Sequence, residues 1–183
     1  MYPFFTVVTR HMLGRTNLLR ANRKSLNQQT CQNWEQLLLV DPSHNGNGIV
    51  WANKNIAAHK EYIRGSYVLM LDDDDKLSNN LALEKIYNRL KQENWPELCV
   101  FKGNHLNNNI FPSVSVWKKQ PIAGNIGSCD FVTKVETFKQ HIDKFANRPG
   151  EFNFLMSFWN DVKIIWLDEI LVEVQRVSGG RPD

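Results

Sequence analysis

Ser66-Tyr67-Val68-Leu69-Met70-Leu71-Asp72-Asp73-Asp74-Asp75 decides how this chain is read. Its first six residues are mostly apolar and short enough for one buried strand, and Gly65 ends the helical pattern before them. Four carboxylates follow without a break. Residues two apart on an extended strand point the same way, so Asp72 and Asp74 are expected to aim together beyond its end. Adjacent carboxylates repel unless a cation joins them or solvent screens them. Hard oxygen donors select Mg²⁺ or Mn²⁺, ions that keep several waters and complete their shells with substrate phosphates. A plainer reading is a solvated acidic turn capping the helix that begins near Asn80. The buried strand before it, within an α/β pattern, favours the metal.

Outward from this stretch the chain alternates strands and helices. Residues 4–9 and 36–40 read as buried strands, with Asp41-Pro42-Ser43 halting the second. Leu18, Leu19, Asn22 and Leu26 lie at helical spacing, residues 44–48 form a loop, and residues 52–64 form a helix. Leu81, Leu83, Ile86, Tyr87 and Leu90 make another helical stripe, followed by a strand at 98–102. The rhythm predicts an α/β fold with a mostly parallel central sheet flanked by helices and joined by right-handed crossovers. Ligands of such sheets sit at the carboxyl ends of the strands, which places Thr9, Arg10, Asp41 and Asp72 to Asp75 on one rim. The second half is less regular. Residues 104–109 read as a polar turn, Val114, Val116 and Trp117 as a hairpin strand, and 130–135 as a strand. Residues 152–159 read as a helix, then 163–167 and 171–174 as strands, so a small antiparallel element is expected here. No boundary rich in Pro, Gly or Ser divides residues 1–183, which predicts one domain.

Composition narrows the function classes. With 183 residues, 42% hydrophobic and 22% charged, the chain can bury a sizeable core. A net charge of +3 is too small to argue for nucleic acid. Arg10, Arg15, Arg20, Arg23 and Lys24 all precede the first acid, Glu35, so the opening quarter is basic. That bias suits a phosphate-bearing substrate, peripheral contact with an anionic membrane, or simply a solvated helix face. Cys31, Cys99 and Cys129 form neither a C-x-x-C pair nor a disulfide framework, which points to a reducing compartment. No basic segment precedes the apolar residues 4–8, and no run approaches the roughly 20 apolar residues of a membrane span, so a cytoplasmic protein is expected.

Other ligand chemistries fail on detail. An EF-hand starting at Asp72 needs Gly where Leu77 stands and Glu where Leu83 stands. His11, His44, His59, His105 and His141 are too dispersed for a zinc motif, and neither G-x-x-x-x-G-K-[ST] nor G-x-G-x-x-G occurs.

Three further blocks bring a family into view. Phe5-Thr6-Val7-Val8-Thr9-Arg10, Ser25-Leu26-Asn27-Gln28-Gln29-Thr30 and Leu38-Leu39-Val40-Asp41-Pro42-Ser43 resemble the opening of a family 2 glycosyltransferase. Residues 64–75 are similar to that family's D-x-D segment, in the same order and at roughly the same spacing. The resemblance covers about residues 4–90. It implies a Rossmann-like GT-A single domain that moves a sugar from a nucleoside diphosphate sugar, most simply a UDP-sugar, onto an acceptor hydroxyl with inversion. It matches Asp41 to the acid at the nucleotide base and Thr9 to the edge of the base pocket. Asp72 and Asp74 match the D-x-D pair, with Asp74 the direct ligand of Mn²⁺ or Mg²⁺, and Asp73 and Arg10 fall beside the donor. Asn55 sits near the family's A-R-N stretch, where Lys54 replaces the arginine. The general base usually lies in an E-D pair ahead of a late helix. Here Arg148-Pro149-Gly150-Glu151-Phe152 takes that place, so Glu151 is the candidate, with Phe152 in place of the second acid. Asp130 falls where relatives shape the sugar pocket. By this reading about residues 1–103 hold nucleotide and metal, and about 104–183 face the acceptor, a glycan, lipid or protein. Trp117, Trp159 and Trp166 offer faces for sugar rings, and Arg176 a partner for phosphate.

Two rivals stand beside this. A sugar nucleotidyltransferase needs a Gly-rich basic loop after the first strand, where Arg10-His11-Met12-Leu13-Gly14-Arg15 has one glycine. A non-catalytic nucleotide- or sugar-binding module fits the incomplete E-D pair.

Overall fold

In the computed structural model, residues 2–42, 48–146 and 148–175 are described. Eight strands form one sheet: β1 Phe5–Met12, β2 Trp34–Asp41, β3 Tyr67–Met70, β4 Asp75–Leu77, β5 Leu98–His105, β6 Asn109–Phe111, β7 Phe131–Lys134 and β8 Ile164–Val174. Five helices accompany them: α1 Thr16–Asn27, α2 Gly48–Ala58, α3 Ala82–Gln92, α4 Val135–His141 and α5 Gly150–Met156. The spatial order is β2-β1-β3-β7-β5-β8-β4, with β6 paired to β5. Strands β1, β2, β3, β5 and β8 run in one direction, while β7, inserted between β3 and β5, opposes them, as do β4 and β6. This is the expected Rossmann-like α/β sheet with its antiparallel element in the second half.

Strand alternation sends successive side chains into two cores. Phe5, Val7, Leu69, Leu71, Cys99 and Phe101 pack under α1 and α3. Val8, Val68, Met70, Leu98 and Val100 meet α2, α4 and α5 on the other face. There Phe154 is enclosed by Phe145, Phe158 and Phe138 at centroid distances of 4.6, 5.0 and 5.5 Å. Helix α3 forms because Ala82, Leu83, Ile86 and Leu90 recur at helical spacing and are buried, while Arg89 and Lys91 oppose its C-terminal dipole. No helix among the described residues is long and apolar enough to cross a membrane.

Several boundaries differ from the sequence reading. Val114, Val116 and Trp117 form no strand: Val116 N and Trp117 N both donate to Ser113 O at 3.0 Å, closing a turn, and the hairpin partner of β5 is β6. The two strands expected at 163–167 and 171–174 are one eleven-residue strand, β8, that absorbs a register shift opposite Phe101 and Lys102. The loop expected at 44–48 lies outside the described residues except for Gly48, which opens α2; Arg176 also lies outside them.

Gly65 sets the entry to β3. A Cβ there would sit 2.5 Å from Thr6 N and 2.7 Å from the Phe5 carbonyl carbon, and Gly65 N donates to Thr6 Oγ1 at 2.8 Å. Backbone atoms cannot yield as a side chain can. Gly65→Ala is therefore expected to cost about 2 kcal/mol, lowering Tm by roughly 4–8 °C in a thermal melt.

Candidate active site at the carboxyl rim of the sheet

Strand β3 ends at Met70, and Asp72 to Asp75 form a turn in which Asp75 N donates to Asp72 O at 2.9 Å. This corrects the extended-strand geometry. Asp72 and Asp74 do converge, but through the turn, and Asp75 converges with them: all three offer oxygens within 4.8 Å of one another. Asp73 does not join that group. Its carboxylate meets His11 Nδ1 at 2.9 Å and accepts from Met12 N at 3.0 Å and Arg15 Nη1 at 3.3 Å.

The turn is held from behind by Asn22. This buried amide, on the inner face of α1, donates to the carbonyls of Leu71, Asp72 and Asp75 at 3.2, 2.9 and 3.0 Å. Its own oxygen accepts from Gln36 Nε2 at 2.9 Å, and Gln36 Nε2 also reaches Thr9 Oγ1 at 2.9 Å. Thr9 is thus buried in the bracing network behind the turn. The sequence signal for Asn22 was a polar residue on an otherwise apolar helical stripe.

Charge in the cleft is dense. Burial, reinforced by the carboxylates of Asp72, Asp74 and Asp130, pushes the Asp75 carboxyl well above the ordinary range. Arg10 enters from the end of β1: its Nε donates to Asp72 Oδ1 at 2.7 Å, Nη2 to Asp72 Oδ2 and Nη1 to Asn53 Oδ1. Burial alone would depress the Arg10 charge, but Asp72, with Glu151 and Asp75 adding to it, holds the guanidinium pKa above its ordinary value. Arg15 bridges Asp73 and Asp74 at 3.3 and 3.5 Å, and its Nε is buried with no hydrogen-bond partner among the described residues. Two guanidiniums thus pair with three of the turn's four carboxylates, in a cluster of hard oxygen donors. That donor set fits a hard divalent cation such as Mg²⁺ or Mn²⁺.

The remaining expected residues divide. Asp41 closes β2, is buried, and lies opposite Met12 in the ladder, two strands from the acidic turn and hence about 10 Å away across the rim. Glu151 stands in the first turn of α5, half-buried and close enough to Arg10 to help keep it charged. It is placed by Gly150, where a Cβ would come within 2.7 Å of Phe145 O and 3.1 Å of Asn53 Nδ2. Asn53 is the α2 amide that meets Arg10: it accepts from Arg10 and donates to Phe145 O at 2.7 Å. The carbonyl of Asn55 accepts from His59 N at 3.2 Å and meets His59 Nδ1 at 2.9 Å, inside the helix end.

Asp130 is wholly enclosed. His105 Nε2 lies 3.0 Å from both its oxygens and Gly127 N donates to it at 2.7 Å, so it braces β5 against the start of β7 and presents no exposed oxygen to a sugar. Burial raises its carboxyl pKa against the pull of His105. Trp159 is also core, packed at 6.0 Å on Trp166. Trp117 and Trp166 are half-buried and meet edge to face at 4.9 Å, with Lys102 Nζ 4.7 Å from the Trp117 ring centroid. Beside them runs a groove of about 640 Å³ lined by Lys102, Pro112 and Asp168 among others, separate from the acidic turn.

Comparison with known proteins locates the fold. No family model matches the chain, and no curated protein matches it. Solved structures do. Crystallised S. aureus TarS superposes with a TM-score of 0.71 at 12% identity, over 96% of this chain and 37% of that one. TarS 1–349 in complex with UDP-GlcNAc gives 0.68 at 13% identity, over 99% of this chain and 60% of that one. The same TarS 1–349 in complex with UDP gives 0.71 at 14%, over 96% and 61%. This chain therefore spans between about a third and three fifths of the structures it resembles. The likeness is one of architecture, and the architecture is GT-A-like.

Proposed function

We propose that the chain transfers a sugar from a nucleoside diphosphate sugar, a UDP-sugar in the first instance, to an acceptor hydroxyl with inversion. The observation that carries this reading is the meeting of Asp72, Asp74 and Asp75 at one end of the rim, beside Arg10 and Glu151, with Asp41 at the other. An elongated anionic ligand is needed to touch both ends. Its base lies at Asp41 and its diphosphate at the acidic turn, where Asp74 and Asp72 would hold Mn²⁺ or Mg²⁺. A divalent ion bound there supplies stabilisation of charge on the departing diphosphate.

The Glu151 carboxylate takes the proton of the acceptor hydroxyl as that oxygen attacks the anomeric carbon. The new carbon–oxygen bond forms on the face opposite the leaving group, and the nucleoside diphosphate departs with the electron pair. Gly150 lets the base approach the Asn53–Arg10 pair closely, and Arg10 offers the guanidinium fork that suits phosphate oxygens. The acceptor, a glycan, lipid or protein, enters from the second half of the chain.

Glu151→Gln separates catalysis from binding. Transfer from a panel of UDP- and GDP-sugars with Mn²⁺ is expected to fall at least about a hundredfold. The UDP-plus-Mn²⁺ thermal shift, about 5–11 °C at ligand near 100 times Kd, is expected to persist. Equal turnover by Glu151→Gln and the parent would remove Glu151 as the base. A UDP shift with no turnover on any donor would favour a binding module, and release of pyrophosphate would favour a nucleotidyltransferase.

A further inference from the structure

Arg10 is seated where a donor-site cation would exert its effect. Its side chain is only 9% exposed, and its three nitrogens are all engaged: two on the two oxygens of Asp72, the third on Asn53. Asn53 is itself fixed, since its amide nitrogen donates to Phe145 O, which turns its oxygen toward Arg10. Asp72 is one of the three acids whose oxygens converge. With the guanidinium on both of its oxygens, its charge is balanced and its lone pairs are partly committed. A divalent cation and Arg10 therefore compete for one carboxylate. Arg10 also stands on β1, between the strand that ends in Asp41 and the strand that leads to the acidic turn, along the path of an elongated nucleotide.

Resting on the donor-site reading above, the geometry points to Arg10 as an internal counter-ion that keeps the Asp72 metal position weak until a nucleoside diphosphate arrives. The guanidinium then exchanges Asp72 for diphosphate oxygens, an equally suited bidentate partner, and Asp72 becomes free for the divalent ion. Metal alone binds poorly to the resting protein, and metal and diphosphate enter as a coupled pair. By thermodynamic reciprocity each raises the affinity of the other by the same factor.

The test is titration of Mn²⁺ into the full chain, without nucleotide and then with saturating UDP. Without nucleotide, Arg10→Gln is expected to bind Mn²⁺ at least about tenfold tighter than the parent, because a unit positive charge has left the cleft. Arg10→Lys keeps that charge and is expected within about threefold of the parent. UDP should tighten Mn²⁺ binding strongly in the parent and much less in Arg10→Gln. Nucleotide-free Mn²⁺ binding by Arg10→Gln no tighter than the parent's overturns the counter-ion role. If Arg10→Gln does not fold in metal-free buffer, Mn²⁺ should restore its folding while leaving Arg10→Lys unaffected; absence of that rescue likewise overturns it. Absence of Mn²⁺ binding in all three proteins, with or without UDP, is a different result and sinks the donor-site reading itself.

Discussion

Asp74→Ala is expected to lose at least about a hundredfold of Mn²⁺-dependent transfer, the scale associated with removing one preorganised charge-stabilising contact from an active site. Among the converging acids, Asp72 is shared with Arg10, and Asp75 is buried with its carboxyl raised and accepts from Asp72 N at 3.2 Å. Asp74 is buried beside them, with Arg15 Nη1 3.5 Å from its carboxylate. The same substitution should also abolish the metal-dependent part of the UDP thermal shift. Unchanged transfer, or a UDP shift equal with and without Mn²⁺, would remove the turn from donor binding. Asp73→Ala provides the contrast: Asp73 is tied to His11 and Arg15, so its loss should lower stability more than metal affinity.

Asn22→Leu is the second large effect, and it acts through the fold. The buried amide serves three carbonyls of the acidic turn and accepts from Gln36. Leucine is close in size but offers neither donor nor acceptor, so those carbonyls and Gln36 lose a partner away from water. Each orphaned buried group costs about 1–3 kcal/mol, and with partial relaxation the total is expected at about 2–4 kcal/mol. Thermal melts should show a fall of roughly 5–15 °C. Metal affinity should fall as well, because the turn that gathers Asp72, Asp74 and Asp75 is no longer pinned. A variant that melts with the parent would show that the turn holds itself.

Why the acids converge was not legible from the sequence, although their meeting was. The apolar run 66–71 and the periodicity around it were enough to place a strand, its rim and the chemistry at its end. Period-two alternation, however, says nothing about where a strand stops. Here β3 stops at Met70 because Asn22 and the Asp72–Asp75 hydrogen bond offer the next residues a turn. Asn22 is 50 residues from Asp72, a separation that no local pattern encodes. Asn53 was overlooked for a related reason: which side chains of one helix turn inward depends on how α2 rolls against the sheet, and Asn53 is buried. Val114, Val116 and Trp117 mimic strand alternation, yet Ser113 O collects the backbone donors of Val116 and Trp117 into a turn. Asp130 was legible as a special acid but not as an enclosed one, because its partner His105 comes from β5, 25 residues away.

Strand β8 carries a consequence for the order in which this molecule matures. Its last residue lies opposite Asp75, and just beyond it Gln175 N donates to Asp74 O at 2.6 Å while Gln175 Nε2 reaches Asp73 O across a separation of 102 residues. A growing chain that has emerged as far as the four aspartates still lacks the segment that backs them. At about 5–20 residues per second, that segment is made some 5–20 s later. The acidic turn thus gains the hydrogen bonds from Gln175 only after residue 175 has been made, well after Asn22 and Arg10, which hold it from the first half, are already in place.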